Sequence, residues 1–363
     1  MKNRSKRMIS LILTGSLSLT LLAACSSSQD GNSGGKGTGS GGDAASLELS
    51  LTTHDPATGP MTLFLEQWGD QVAEATSGQI DITVYPGATL SAGTDVAEAV
   101  LTGTVDIGWC FTTFFPNQFP LTEVTTLPML GLSHPSEAAE VLWDLYDYSE
   151  DLRTELADYK VLMMLGNPPN MLFTAKKPVH TLEDLAGLQI RAVAGVPTAL
   201  VTAWGGVPVL MTPSDTYEAL SKGIVDGCIF EYSGTTTVNM QEHLNYYTEL
   251  NIYMGVFLLL MNKDRWDSLP TEVQQAMDSV SLRTASVEGG KVFYEDNANS
   301  RAIIEQTGAT FITPTDEAIQ EFEVAALEYA QNWVSEKSTD TFDAQDYYNK
   351  TIELVEKYAG TYQ

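Results

Sequence analysis

Residues 181–230, TLEDLAGLQIRAVAGVPTALVTAWGGVPVLMTPSDTYEALSKGIVDGCIF, decide the fold. Thr181-Leu-Glu-Asp184 is a capping box, in which a hydroxyl and an acid three residues on satisfy each other's backbone donors, so a short helix starts there and Gly187 stops it. Leu188 to Arg191 then reads as a strand and Val196 to Trp204 as a helix, after which Gly205-Gly206 releases the chain into a second strand, Val207 to Leu210. Ser214 is expected to cap the next helix, which carries Tyr217 and Leu220; Gly223 ends it, and Ile224 to Phe230 forms a third strand. Helices alternating with short apolar strands describe a mainly parallel sheet flanked by helices.

The same alternation begins upstream. Leu47, Leu49 and Leu51 alternate as a strand, and Phe64, Trp68, Val72 and Ala75 recur at helical spacing until Gly78. Ile80, Ile82 and Val84 form a strand that ends at Tyr85-Pro86-Gly87; a short helix follows, and Val105 to Trp109 is the next strand. A helix from near Pro135 leads into the strand Val161 to Leu165, where Gly166-Asn167-Pro168-Pro169-Asn170 breaks the pattern and reads as a hinge. Tyr253 to Asn262 is a long apolar strand suited to crossing back. After Leu269-Pro270 the chain stays helix-compatible to about Gln306, with Gly289-Gly290 as its weak point, so one long helix is expected to span both halves. A strand at Thr310 to Thr313 and helices around 316–335 and 347–358 complete the chain. Crossings near residues 168, 256 and 298 divide it into lobe I, 47–168 plus 257–297, and lobe II, 169–256 plus 298–363. The expected fold is therefore two-lobed α/β, with a cleft between the lobes.

Ahead of these lobes, Lys2, Arg4, Lys6 and Arg7 precede an apolar run from Ile9 to Leu22 and the tetrapeptide Leu22-Ala-Ala-Cys25. This is a secretory signal, residues 1–24, and the run is too short to cross a bilayer comfortably. Cys25 at the first mature position resembles a bacterial lipobox, which implies a diacylglycerol on that thiol and a membrane anchor. Residues 25–46 are then the lipidated cysteine and a Gly/Ser-rich leash with a span of roughly 25 Å. Ser26 is the residue that, in Gram-negative lipoproteins, sends the protein to the outer membrane, away from an inner-membrane partner, so a Gram-positive surface is favoured.

Without the four cations of residues 1–24, the formal charge falls from −28 to −32, a surface that repels nucleic acid and anionic lipid. An anionic ligand would need a strong local cation against that field. Cys110 and Cys228 each sit in an apolar strand and read as small core residues rather than a bridge. His54, His134, His180 and His243 are scattered and match no zinc pattern. No Gly-x-Ser-x-Gly elbow, P-loop or evident Cys/His pairing supports an enzyme, and no cofactor is expected.

Four stretches carry a resemblance to a known family. They are His54-Asp-Pro-Ala-Thr-Gly-Pro60 with Val84-Tyr-Pro-Gly87, and Gly103-Thr-Val-Asp-Ile-Gly108 with Phe119-Pro-Leu121 and Leu127-Pro128. The third runs from Thr181 through Arg191 and Gly205-Gly-Val-Pro208 to Val225-Asp-Gly227; the last is Met261-Asn-Lys-Asp-Arg-Trp266 with Ser268-Leu-Pro270. In this order over essentially the whole mature chain, they resemble the solute-binding subunits of tripartite ATP-independent periplasmic (TRAP) transporters, of the dicarboxylate-binding-protein-like type. The resemblance implies a periplasmic-binding-protein-like fold and a receptor, expected as a monomer, that captures a small carboxylate and hands it to membrane permease subunits. A sensory receptor or a receptor for an ATP-driven importer is the alternative on the same fold.

The resemblance also implies that Arg191 forms a bidentate salt bridge to the ligand carboxylate. The guanidinium fork suits a carboxylate, and the end of a parallel strand is where α/β sheets hold ligands. The residues alone leave open a structural pair with Glu183 or another acid. Met171 stands where many relatives carry a second arginine, and Ile229-Phe230 replaces their Glu-Asn, departures that suit one carboxylate on an apolar or aromatic body. Trp109, Phe111, Phe230 and Tyr232 follow strand-end motifs and are candidate cleft walls or core; His54 is a candidate hydrogen-bond donor to the ligand. Asn167 and Asn170 belong to the hinge turn or contact the ligand, and Asp106 and Asp226 fix turns, although some relatives bind carboxylates through a cation.

Overall fold

The computed structural model describes residues 46–362; the signal-like segment, Cys25 and the leash to residue 45 lie outside them. In chain order, β1 (Leu47–Thr52), α1 (Pro60–Ala75), β2 (Ile80–Tyr85), α2 (Val96–Leu101), β3 (Ile107–Phe111), α3 (Pro135–Tyr148), α4 (Glu150–Glu155) and β4 (Tyr159–Gly166) build most of a first sheet and its cover. A second sheet follows from β5 (Asn170–Thr174), α5 (Leu182–Leu185), β6 (Gln189–Ala192), α6 (Val196–Ala203), β7 (Val207–Leu210), α7 (Pro213–Lys222), β8 (Gly227–Phe230), α8 (Tyr232–Thr237) and β9 (Tyr246–Tyr253). β10 (Val256–Asn262) returns to the first sheet and leads to α9 (Lys263–Asp267), α10 (Thr271–Ser279) and α11 (Leu282–Glu305). β11 (Thr310–Ile312) joins the second sheet, and α12 (Asp316–Lys337) and α13 (Ala344–Tyr358) finish the chain.

The sheet orders are β2-β1-β3-β10-β4 and β11-β9-β5-β8-β6-β7. Each sheet is parallel except for one strand: β10 runs against β3 and β4 in the first, and β5 runs against β8 and β9 in the second. These two strands are the ones that arrive straight from the other sheet. β4 leaves the first sheet at its carboxyl edge and reaches β5 after residues 167–169; β9 leaves the second and reaches β10 after Met254-Gly255. When two parallel sheets face each other across their carboxyl edges, a strand passing directly between them must enter its new sheet against the grain. The strand expected from Tyr253 to Asn262 is thus two strands in two sheets, broken at Met254-Gly255.

The central strands of each sheet are buried on both faces. In β10, Val256, Leu258 and Leu260 pack on one side while Phe257, Leu259 and Met261 pack on the other, as the twofold side-chain period requires. In the second sheet Leu172, Ile190 and Ile229 face one layer, and Phe173, Cys228 and Tyr247 the opposite one. Burying each such Leu or Phe contributes roughly 1.5–3 kcal/mol, so the strands that read as continuous apolar runs form the centre of each lobe. Cys110 and Cys228 are free and buried in different lobes.

Several local expectations need correction. The helix expected to run from about 270 to 306 breaks at Val280-Ser281, and Leu282 takes a positive φ of 58°. The buried Ser281 Oγ donates to the Met277 carbonyl at 2.7 Å and accepts from the Trp68 indole at 3.2 Å, tying the break to α1. Gly289-Gly290, by contrast, lies inside an unbroken α11, which packs on α3 and β4 of the first lobe and on α8 of the second. The helix expected to be capped by Ser214 starts two residues earlier, at Pro213, with the Thr212 hydroxyl as its cap, accepting from the Asp215 amide. Finally, residues 298–363 do not all stay with lobe II: α13 packs on α3 and α12 on α13, placing Ala330, Trp333, Tyr347 and Leu354 in a lobe I core.

Candidate functional site

The carboxyl ends of the parallel strands in both sheets converge on the crossings at 167–169 and 254–255, the place where α/β sheets position ligands. On the second sheet this edge carries Arg191 from β6, Phe230 and Glu231 from the end of β8, and Tyr253 from the end of β9.

Arg191 is 1% exposed. Its Nε donates to the Met211 carbonyl at 3.2 Å and its Nη1 to the Ile229 carbonyl at 3.3 Å, while the guanidinium lies 4.9 Å from the Phe230 ring centre. Nη2 is buried with no partner, and no carboxylate, Glu183 included, forms an ion pair with Arg191 among the described residues. Burial pulls its pKa down, opposed by the facing Cys228, Tyr253 and Glu231, yet a guanidinium this basic stays charged. A buried cation with a free donor is costly unless an anion completes it. The two carbonyls and the aromatic face hold the fork in place, leaving Nη2 as the free prong.

Glu231 is the N-cap residue of α8, and its carboxylate turns back over that helix: a Cβ added at Gly234 would meet Oε1 at 2.6 Å. Burial pushes its carboxyl up to about 7, with Asp296 adding to the rise and Arg191 and the Gly234 amide opposing it. The folded protein therefore holds this proton more tightly than the unfolded chain, whose value is near 4.5, so the stabilisation is complete below 4.5 and is lost as pH rises through 7. Glu231→Gln is expected to remove a loss on the order of 2 kcal/mol between pH 4.5 and 7.5, checked by denaturant midpoints of the two proteins across that range.

The first sheet contributes an aromatic cluster. Phe111 stacks on Phe257 at 4.7 Å and meets Phe114 edge-on at 5.1 Å. His54 lies 5.4 Å from Phe114 and 6.1 Å from Phe257; its Nδ1 is buried without a partner, and its Nε2 is 3.8 Å from Asp55. A side chain on Gly255 would run into the Phe111 ring, so the absence of a Cβ there lets the crossing pass against this cluster.

Other expected positions point elsewhere. Trp109 is fully buried between Phe257 and Phe293, inside lobe I. Tyr232 stacks on Phe173, and its hydroxyl donates to Glu249 at 3.0 Å, inside lobe II. Of the two places the sequence left open for these residues, cleft wall or core, both take the core, because the strand and helix they sit on turn them inward. Asn167 and Asn170 work at the crossing: the Asn167 Oδ1 accepts from the Gly255 amide at 2.6 Å, and Asn170 Nδ2 lies 3.5 Å from both Asn167 Oδ1 and the Tyr253 carbonyl. Asp106 and Asp226 sit at the opposite ends of their strands from the cleft, where they accept from the Ser50 and Gln189 amides at 2.8 Å each.

Sequence reading assigned no role to Glu231 or Tyr253. Tyr253 is buried, with Glu231 and Arg191 pulling its hydroxyl pKa in opposite directions, and it lines a cavity of about 80 Å³ that spans the lobes, with Thr113 and Pro116 on one side and the 194–197 turn on the other. The strand-end argument used for Arg191 would have found Tyr253 had β9 been recognised as a separate strand.

Residues 51–337 match the sequence model of the bacterial extracellular solute-binding proteins, family 7. The chain is 26% identical over 293 residues to the outer membrane transporter protein TsaT of Comamonas testosteroni, covering 79% of this chain and 85% of that one. Its fold is similar to that of a TRAP periplasmic solute-binding protein from Desulfovibrio salexigens, with a TM-score of 0.80 and 30% identity over 88% of this chain and 98% of the other. A TRAP solute-binding protein from Rhodoferax ferrireducens, solved with copurified benzoate, superposes with a TM-score of 0.80 at 23% identity, covering 88% of this chain and 100% of the other.

Proposed function

Because this chain belongs to the family 7 bacterial extracellular solute-binding proteins, the receptors of TRAP transporters, we propose that it captures an organic acid with a single carboxylate and an apolar or aromatic body, closing around Arg191. The observation that carries this reading is the buried, unpartnered Nη2 of Arg191, with both other edges of the guanidinium held by backbone carbonyls. A carboxylate accepting end-on from Nη2 and from the remaining N–H of Nη1 satisfies that prong and neutralises the charge. Phe230, Phe111, Phe257 and His54 provide apolar contact for the rest of the ligand. Met171 leaves no second cation for a second carboxylate, and the benzoate held by the Rhodoferax relative fits the same preference.

Closure rotates the lobes about the paired crossings at 167–169 and 254–255, which the Asn167–Gly255 bond holds side by side. The ligand favours the closed form because only there do both edges contact it, and exclusion of water strengthens the ion pair. No covalent step is involved. The receptor works as a monomer and delivers its ligand to membrane permease subunits. Cys25 carries the lipid that anchors it, with Ser26 favouring a Gram-positive surface; incorporation of labelled palmitate, lost in Cys25→Ala, checks the anchor.

A thermal-shift screen of the mature protein against aliphatic, aromatic, keto and hydroxy acids tests the function. A concentration-dependent rise in melting temperature with monocarboxylates is expected. Shifts with sugars or amino acids and silence with every acid would refute it.

A further inference from the structure

We propose that Gly234 is a positioning residue of the binding site: its lack of a side chain seats the Phe230 ring against the Arg191 guanidinium, and the seated ring holds the fork in the orientation that a carboxylate meets. Its effect on binding rests on the carboxylate reading of Arg191, whereas the seating of the ring stands without it.

α8 reads Tyr-Ser-Gly-Thr-Thr-Thr from 232 to 237, with the glycine at its third position. Glycine inside a helix is unfavourable relative to alanine, so its presence there asks for a packing reason. The neighbours supply one. A Cβ at Gly234 would lie 2.2 Å from Cε1 and 2.7 Å from Cζ of Phe230, and 2.6 Å from Oε1 of Glu231. The outer edge of the Phe230 ring thus rests directly on Gly234, while the Arg191 guanidinium stands over the same ring, 4.9 Å from its centre. That separation is inside the roughly 6 Å over which an aromatic face attracts a cation. With the Met211 carbonyl on Nε and the Ile229 carbonyl on Nη1, the ring is the third support of the fork.

Neither backbone can retreat to make room for a Cβ. β8 pairs with β5 as far as Phe230, opposite Met171, which fixes the point where the ring is rooted. α8 is pinned to α11: the Ser233 amide donates to Asn297 Oδ1 at 3.1 Å, and the Thr236 and Ser300 hydroxyls lie 2.7 Å apart. A methyl group at 234 must therefore displace side chains. The Phe230 ring stands nearest and is only half-buried, so it has somewhere to go. Once displaced, it uncovers one face of the guanidinium and loosens the fork. Alanine suits a helix better than glycine does, so the fold should survive the change that disturbs the site.

The test uses the mature protein and two readouts. In nuclear magnetic resonance spectra the Arg191 Nε–H, assigned through Arg191→Lys, should give a slowly exchanging signal displaced by the ring current of Phe230. Gly234→Ala should lose much of that displacement and exchange faster, with a melting temperature close to that of the wild type. In calorimetric titrations with benzoate and with hexanoate, Gly234→Ala should weaken whichever acid binds by roughly 3- to 30-fold, the range of one cation–π contact. Phe230→Leu has no ring to displace, so adding Gly234→Ala to it should cost nothing further; in Glu231→Ala the full penalty should remain. An unchanged Arg191 signal in Gly234→Ala overturns the proposal, as does an equal penalty with and without the Phe230 ring, or a penalty that vanishes in Glu231→Ala. Should Gly234→Ala melt far below the wild type, Phe230→Leu must restore it, and failure to do so overturns the proposal too. A changed Arg191 signal in Gly234→Ala, combined with no binding of either acid by the wild type or with full binding by Arg191→Gln, would sink the carboxylate reading and leave the seating of the ring standing.

Discussion

Arg191→Met is expected to abolish carboxylate binding without lowering the melting temperature of the ligand-free protein. The two effects have one cause. Within the folded chain the guanidinium has two backbone carbonyls and the Phe230 ring but no acid, so its burial is incompletely compensated. Replacing such a buried charge by an apolar side chain of similar length is commonly neutral or stabilising. Ligand affinity should respond in the opposite direction, because truncating one partner of a desolvated ion pair costs roughly 2–5 kcal/mol, at least about 30-fold in Kd. Arg191→Lys keeps the charge but not the fork, and an intermediate affinity is expected. Titration with whichever acid shifts the wild-type melting curve, together with melting of each variant alone, checks the pair of effects. A drop of many degrees in the ligand-free Met variant would instead make Arg191 a structural strut, the role a Glu183 pair would have given it.

Gly290→Val should damage the packing severely. A Cβ at Gly290 would lie 2.5 Å from the Ser136 backbone nitrogen and 2.7 Å from its Oγ, at the first turn of α3. Backbone cannot swing aside as a side chain can, so α11 must lift from α3. The cost is about 3 kcal/mol, read as a shift of the denaturant midpoint. Gly289→Ala is the control: its Cβ would meet Phe64 and Leu165 side-chain atoms at 3.0 and 3.1 Å, which can give, so a smaller loss is expected. Because α11 packs on α3 and β4 at one end and on α8 at the other, the Val variant should also weaken ligand-dependent closure. An unchanged midpoint would show that the two helices tolerate a wider separation.

Much of the fold was legible because its signals are local. The Thr181–Asp184 box, the αL cap at Gly223 and the twofold alternation of Leu47, Leu49 and Leu51 in β1 each involve residues a few positions apart, and each stands where expected. The crossing at Gly166–Asn170 was legible for the same reason, since Gly and Pro punctuate the chain whatever surrounds them. The helix break was not: Ser281 is polar but helix-compatible, and what breaks the helix involves Trp68, more than two hundred residues away. Gly289-Gly290 looked like a flaw by propensity and proved to be a close contact, because propensity carries no information about the neighbouring helix.

The site divides along the same line. That an arginine would stand at the end of a strand beside the cleft followed from strand order, whereas a role for it toward a ligand carboxylate was implied by the family resemblance. Where side chains beyond a strand end point did not follow: Trp109 and Tyr232 turn inward because Phe257, Phe293, Phe173 and Glu249 receive them, and Glu123, Tyr253 and Trp333 meet only when α12 returns to the first lobe. By itself the sequence determined two α/β lobes, the places where the chain passes between them, and an arginine at a strand end. Tertiary structure alone decided which aromatics face the cleft and which polar groups share a cavity, since backbone hydrogen bonds and periodicity act over a few residues, whereas the destination of a side chain is set by whatever distant segment packs against it.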